Sequence, residues 1–259
     1  MSPVLTRYDL ASPAATAFST TRREGYSRGA YGRMNINPYC GDAPEHVAAN
    51  RRLLAESLGV AESRLVVPHQ VHGTVCRVVD ESLFGLSAEA RTAVLEGADA
   101  LLTNCRGTCI GVSTADCIPV LLYDRAHHAA AAIHAGWRGT VQRIVARAVG
   151  RMNEAYHTQP QDLMAVIGPG ISLARFEVGQ EVYDAFAQAG HDMARIARRQ
   201  DKWHIDLPLC NRLQLEQAGL HAEHITMSGI CTYDRVDDYF SARRLGTASG
   251  RIYTGIVLH

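Results

Sequence analysis

Apolar residues recur along this 259-residue chain at two periods. Between residues 42 and 59, Val47, Leu54 and Leu58 share one helical face, Pro44 suits a first turn, Asp42 can cap and Gly59 ends the run. These signals predict a helix. Val141, Ile144, Val145, Ala148 and Met152 repeat at helical spacing after Gly139-Thr140 and predict a second, and a third runs from Asp206-Leu207-Pro208 to Gly219. Between the helices lie short β-rich runs at 65–67, 74–79, 98–103, 109–113, 118–123, 129–134 and 164–167. Strands and helices mix without strict alternation, so the pattern predicts an α/β fold with mixed β-sheets rather than a regular doubly wound sheet. No internal repeat, low-complexity linker or composition shift marks a boundary, and residues 1–259 read as a single domain.

Composition narrows the function classes. At 47% hydrophobic and 20% charged the chain matches ordinary globular proteins. Its 26 basic and 26 acidic residues cancel, which removes the electrostatic footprint of a general nucleic-acid binder. No apolar run approaches the ~18 residues needed to cross a bilayer. The first twenty residues carry Arg7 and Asp9 and build no signal-peptide core. Seven cysteines, an odd number in a chain large enough to fold without staples, predict reduced thiols and a cytoplasmic protein.

Three segments combine metal-competent side chains with tight turns at strand ends: Pro68-His69-Gln70-Val71-His72-Gly73, Ala115-Asp116-Cys117-Ile118-Pro119 and His134-Ala135-Gly136-Trp137-Arg138-Gly139. Strand ends can converge while the sheet fixes them, which is the usual way a site is built. One histidine of the first segment with Cys117 and His134 would make a His2Cys set, the stoichiometry of a catalytic zinc with an open fourth position. Two other readings use the same residues. They could be packing residues, since Cys and His are common in cores, or Cys117 could be a nucleophile activated by His134 or His72 and oriented by Asp116.

The weaker signals have plainer readings. His69 and His72 face opposite ways in an extended segment, so at most one should bind. His127 and His128, being adjacent, cannot both serve one site and read as solvated or edge positions. Gly168-Pro169-Gly170 reads as a strand-to-helix turn before an anion cradle, and His221-Ala222-Glu223 as a polar loop, since no P-C-x-x-C follows. The run at 195–202, with Arg198 and Arg199, reads as a wet helix face.

The three segments also carry a resemblance. With Ser19-Thr20-Thr21-Arg22, Gly25, Ser27, Gly29, Tyr31, Asn35, Gly41-Asp42 and Asn50-Arg51, they are similar to the YfiH-like family, also called the laccase-domain or multicopper polyphenol oxidase family. Ile167-Gly168-Pro169-Gly170-Ile171, Phe176-Glu177-Val178-Gly179, Asp206-Leu207, Asn211-Arg212-Leu213-Gln214, Cys231-Thr232 and Phe240-Ser241-Ala242-Arg243-Arg244 continue the match from about residue 15 to the C-terminus.

The resemblance implies a single α/β domain with mixed sheets flanked by helices, similar to the catalytic domain of cytotoxic necrotizing factor toxins. It implies zinc held by His72, Cys117 and His134, and selects His72 over His69. It implies a purine nucleoside phosphorylase cleaving adenosine, inosine and methylthioadenosine with phosphate, with adenosine deaminase side activity. Older descriptions of the family name copper-dependent polyphenol oxidases. None of the twelve histidines forms the His-x-His pair that multicopper sites use, although one cysteine and two histidines can bind a single copper. A cysteine amidohydrolase using Cys117 and His134 is a third reading.

An open metal position suits a deaminase, and arginine presents the planar fork that phosphate needs. Arg22 and Arg51 lie in matched motifs and are expected at the phosphate, Asn35 at ribose or base, and Asp116 as the general acid or as a group orienting a ligand. The chain departs from the family's pattern at Glu24-Gly25-Tyr26-Ser27, where many members have Gly-Gly-Val-Ser, and at Ala174-Arg175-Phe176, where a cysteine pair often stands. Tyr26 is expected to narrow the substrate range, and Arg175 adds a charge.

Overall fold

The computed structural model describes residues 4–259. Its strands fall into two large sheets and a small one. The first sheet has the order β1 (Leu5–Tyr8), β2 (Ala15–Thr20), β14 (Ile252–Leu258), β6 (Thr108–Thr114) and β3 (Leu65–Val66). The second has β13 (Ile225–Met227), β9 (Leu163–Ile167), β7 (Ile118–Asp124), β8 (Ala129–Ala135), β5 (Ala98–Thr103) and β4 (Val75–Val78). Both are mixed: β3 runs parallel to β6, β4 to β5 and β13 to β9, and the other neighbours are antiparallel. A three-stranded sheet, β10 (Glu177–Val178), β12 (Trp203–Ile205) and β11 (Ala197–Arg199), packs at one side.

The two large sheets stack face to face. Ile110, Val112 and Ile256 of the first meet Leu101, Leu121 and Val166 of the second in one buried cluster. The helices are α1 (Pro44–Leu58), α2 (Glu81–Phe84), α3 (Ala88–Leu95), α4 (Trp137–Val141), α5 (Ile144–Tyr156), α6 (Gln180–Gln188), α7 (Met193–Ile196), α8 (Leu207–Gln217) and α9 (Ala242–Leu245). Leu54 and Ala55 of α1 cover the outer face of the first sheet. Val145, Ala148 and Met152 of α5 and Leu213 of α8 cover that of the second. Strands β5 to β8 are therefore buried on both faces and read as apolar runs rather than alternating ones.

Local chemistry explains where the elements differ from the sequence reading. Asp42 does not cap α1; the extended Ala43 takes that place, and the Asp42 carboxylate accepts instead from Ser27 Oγ at 2.5 Å and Asn35 Nδ2 at 2.9 Å. The second predicted helix is two, because Arg143 adopts φ 62° and breaks α4 from α5. The third is as expected, with Asp206 capping α8 by accepting from Leu209 N at 2.9 Å. The 195–202 run is no helix face: it leaves α7 and forms β11 and a turn, with Arg198 and Arg199 exposed. None of the helices among the described residues is long and apolar enough to cross a membrane.

Candidate metal centre and its pocket

The ends of four strands converge on one spot. His134 lies near the end of β8, pairs with Pro119 of β7 and sits one residue beyond the Ala100–Ile133 pair that joins β8 to β5. Asp99 of β5 is thereby its cross-strand neighbour. Cys117 lies in the short link from β6 to β7, and His72 in the loop from β3 to β4. One ligand atom from each of His72, Cys117 and His134 lies within 4.8 Å of the others, and no second group of this kind occurs among the described residues. The His72 and His134 rings meet edge to face at 4.7 Å.

Asp99 organises this cluster and escaped the sequence reading. Its Oδ1 accepts from His134 Nδ1 at 2.7 Å and His72 N at 3.0 Å, and its Oδ2 from Gly73 N at 2.7 Å and Val71 N at 3.3 Å. One fully buried carboxylate therefore holds a ligand ring and the loop that carries the other histidine. That loop needs holding, since His72 has φ 63°, a left-handed conformation that a non-glycine residue adopts only when its surroundings enforce it. With Nδ1 donating to Asp99, Nε2 of His134 is the free nitrogen, the orientation seen in carboxylate–histidine–metal arrangements. The signal for Asp99 was present: a lone charge inside the apolar run 98–103.

The electrostatics follow from these contacts. Burial pushes the Cys117 thiol up, but the charge of His134 and hydrogen bonds from His134 and His72 outweigh it and bring the thiol down to about 6. Burial pushes His134 down, yet Cys117 and Asp99 raise it to about 9. Burial also works against the Asp99 carboxylate, and the His134 ring with the loop amides keeps it below its ordinary value. These shifts favour a thiolate beside an imidazolium, and a metal ion held by the group would take the place of the imidazolium proton.

The donor set suits a borderline metal: one thiolate and two imidazoles, all from protein, with no fourth protein ligand in the group. The backbone makes room for it. A Cβ on Gly136 would stand 3.0 Å from His72 Cδ2 and 3.1 Å from Cys117 Sγ, so any larger residue would press on the triad. The three residues line a pocket of about 240 Å³ with Tyr39, His69, Gln70 and Arg251. Gln70 locks the wall: its Nε2 donates to Ser113 O at 2.9 Å and its Oε1 accepts from Ser113 N at 2.7 Å. His69 is a wall residue, not a ligand, with Nδ1 on the Glu96 carboxylate at 2.8 Å and its ring stacked on Tyr39 at 4.3 Å.

Four other expected site residues are elsewhere. Asp116 lies outside the pocket lining, its Oδ1 accepting from Thr232 Oγ1 and its Oδ2 from Arg243 N, both at 2.7 Å. Its carboxylate ties the β6–β7 link to the C-terminal segments. Arg22 donates to the carbonyls of Gly32 and Val236 and lies over Phe240. Arg51 donates to Leu65 O and lines a different cavity, whose walls include Phe84 and Arg91. Asn35 is fully buried; its amide is spent on Asp42, and its carbonyl accepts from Asn37 N and Arg251 N.

The weaker candidates also resolve. Tyr26 is exposed and outside the pocket lining, and Arg175 pairs with Asp234 at 2.7 Å. Gly168 N and Gly170 N are bonded to Pro119 O and Ile230 O, which leaves no cradle there. His127 and His128 lie in the turn between β7 and β8, His127 on Asp124, and residues 221–223 form an exposed turn.

The family model described as "Multi-copper polyphenol oxidoreductase laccase" matches residues 16–259. The chain belongs to that family. A relative from Bacteroides thetaiotaomicron named purine nucleoside phosphorylase is 47% identical over 245 residues, 93% of this chain and 91% of the relative. A protein named adenosine deaminase RL5, from an unknown prokaryotic organism, is 43% identical over 93% of this chain and 92% of its own length. The crystal structure of YlmD from Geobacillus stearothermophilus superimposes with TM-score 0.89 at 31% identity, covering 95% of this chain and 93% of that one. The family's name speaks of several coppers, whereas the described residues offer one three-ligand group.

Proposed function

We propose that this protein is a zinc-dependent purine nucleoside phosphorylase that cleaves adenosine, inosine and methylthioadenosine, with adenosine deamination as a side reaction. The observation that carries the reading is a three-ligand His2Cys group opening on a pocket, in a chain matched over nearly its whole length by a relative named for that activity. His72, Cys117 and His134 would hold the metal, and zinc bound there supplies Lewis acidity at the pocket.

The chain's own residues do the rest. Asp99 keeps His134 in the tautomer that leaves Nε2 free and holds the strained loop of His72. The low thiol pKa of Cys117 keeps it a thiolate, ready to ligate at neutral pH. Tyr39 and His69, stacked on one another, give the pocket a flat wall of the kind a planar base packs against. In phosphorolysis of adenosine an oxygen of hydrogen phosphate forms the bond to C1′ as the C1′–N9 bond breaks. The phosphate proton ends on the departing adenine, giving adenine and ribose 1-phosphate.

Metal exchange tests this. Chelator-treated protein should lose phosphorolysis and regain it with one equivalent of zinc; metal-free protein that turns over at the untreated rate would refute the zinc assignment. Copper-loaded protein in the same assay, offered a phenol, tests the oxidase alternative.

A second reading has one observation in its favour: Cys117 beside the His134–Asp99 pair is also the arrangement of a cysteine amidohydrolase. Alkylation separates the two. Zinc should shield Cys117 from iodoacetamide if the thiolate is a ligand, and amide hydrolysis by metal-free protein would instead favour the nucleophile.

A further inference from the structure

Arg251 lies in the strap between α9 and β14 and lines the same pocket as the metal triad. Its guanidinium is positioned by neutral groups alone: Nη1 donates to Ser249 O at 2.5 Å and Gly250 O at 3.0 Å, and Nη2 to Thr247 O at 3.0 Å. Its backbone N donates to Asn35 Oδ1 at 3.1 Å. Among the described residues no carboxylate lies within 4.0 Å of it, so its charge is held in place and left unneutralised.

The pocket around it is built for an anion. No aspartate or glutamate is among its lining residues. Ser113 and Thr114 close its wall where β6 ends, both buried, and as neighbours in a strand they turn their side chains to opposite faces. Carbonyl contacts occupy three of the five N–H groups of Arg251, and an oxyanion is the ligand for the remaining edge. Arg22 and Arg51, the arginines that sequence favoured, give their guanidinium groups to backbone carbonyls outside this lining.

We propose that Arg251 anchors the phosphate co-substrate. This assignment rests on the phosphorylase reading. It also gives Asn35 its place: rather than touching ribose, Asn35 holds the backbone of the residue that touches phosphate.

The test combines calorimetric binding of inorganic phosphate to the zinc-loaded protein with separate KM values for phosphate and adenosine, in wild type, Arg251→Gln and Arg251→Lys. In Arg251→Gln the Kd and KM for phosphate should rise roughly 10- to 100-fold, the range a charge-assisted hydrogen bond carries. The KM for adenosine should move less than about threefold, because Arg251 meets the other substrate, and Arg251→Lys should recover part of the phosphate affinity by restoring charge without the planar fork. Phosphate constants within twofold of wild type in Arg251→Gln would overturn the assignment. So would parallel loss of both KM values in Arg251→Gln and Arg251→Lys alike, which marks a collapsed strap. If wild type forms no ribose 1-phosphate, the phosphorylase reading fails separately. The calorimetry then still decides Arg251, since phosphate binding present in wild type and lost in Arg251→Gln upholds the anion site, and binding absent from wild type or unchanged overturns it.

Discussion

Replacing Asp99 by asparagine turns one carboxylate oxygen into an amide NH₂ and takes apart the support of the His72–Cys117–His134 group. The carboxylate accepts four hydrogen bonds, two per oxygen: His134 Nδ1 and His72 N on one, Val71 N and Gly73 N on the other. An amide offers one accepting oxygen, so its NH₂ must face two donors whichever way it is turned. If the amide oxygen stays with His134, the Val71 and Gly73 amides lose their acceptor and the strained His72 loop is freed; if it turns over, the His134 ring is freed. The carboxylate charge that helps raise His134 also goes, so His134 falls from about 9 toward its ordinary value. Loss of a carboxylate that orients a ligand histidine typically costs about 10- to 100-fold in metal affinity. The two orphaned donors face the buried position of the Asp99 side chain, so the stability loss should be at least about 1–3 kcal/mol, the cost of one unsatisfied buried donor. Zinc affinity by chelator competition and unfolding of the metal-free protein read the two effects separately. Zinc affinity within twofold of wild type would refute the claim that Asp99 holds the site together.

Two further predictions concern the triad. In metal-free protein the rate of Cys117 alkylation should reach half its maximum near pH 6 rather than near 9, and His134→Asn should move that midpoint up; a midpoint near 9 in the parent would contradict the pairing. The depressed Cys117 pKa contributes stability at alkaline pH that is lost as pH falls through about 6. The raised His134 pKa contributes stability below 6.5 that is lost as pH rises through about 9. The slopes oppose between 6.5 and 9, so a melting temperature nearly independent of pH there is expected from the pair. Gly136→Ala should fold, since the added Cβ meets side chains rather than backbone, yet bind zinc at least about tenfold more weakly by crowding His72 and Cys117; wild-type zinc affinity in a folded variant would show that the triad does not need the space.

Much of the fold was legible in the chain because buried strands are apolar throughout. The runs at 98–103, 118–123 and 129–134 stand out for that reason and became the centre of the second sheet. Strands β1, β2 and β14 were not recognised: Ala15–Thr20 has Phe18 as its one large apolar residue among alanines and hydroxyl residues, and Ile252–Leu258 carries Thr254 and Gly255 inside its apolar run. The pairing of β14 with β2 and with β6 is a long-range event that local pattern does not report. At the site, His72, Cys117 and His134 were legible because each sits at or beside a strand end next to a tight turn. Their partner Asp99 was hidden by lying within a strand, where a charge reads as an interruption. Arg22, Asn35, Arg51 and Asp116 show the other side of motif reading, since polar residues in distinctive motifs can serve the backbone. Each of the four is spent mainly on loops, and Asn35 and Asp116 tie together segments more than a hundred residues apart.

The central claim is phosphate-dependent cleavage of a nucleoside at this centre, and chromatography of adenosine incubated with zinc-loaded protein, with and without phosphate, tests it most directly. Adenine and ribose 1-phosphate should appear only in the sample with phosphate, and inosine in both would add the deaminase. Adenosine unchanged in both samples, or adenine released equally without phosphate, would contradict the account.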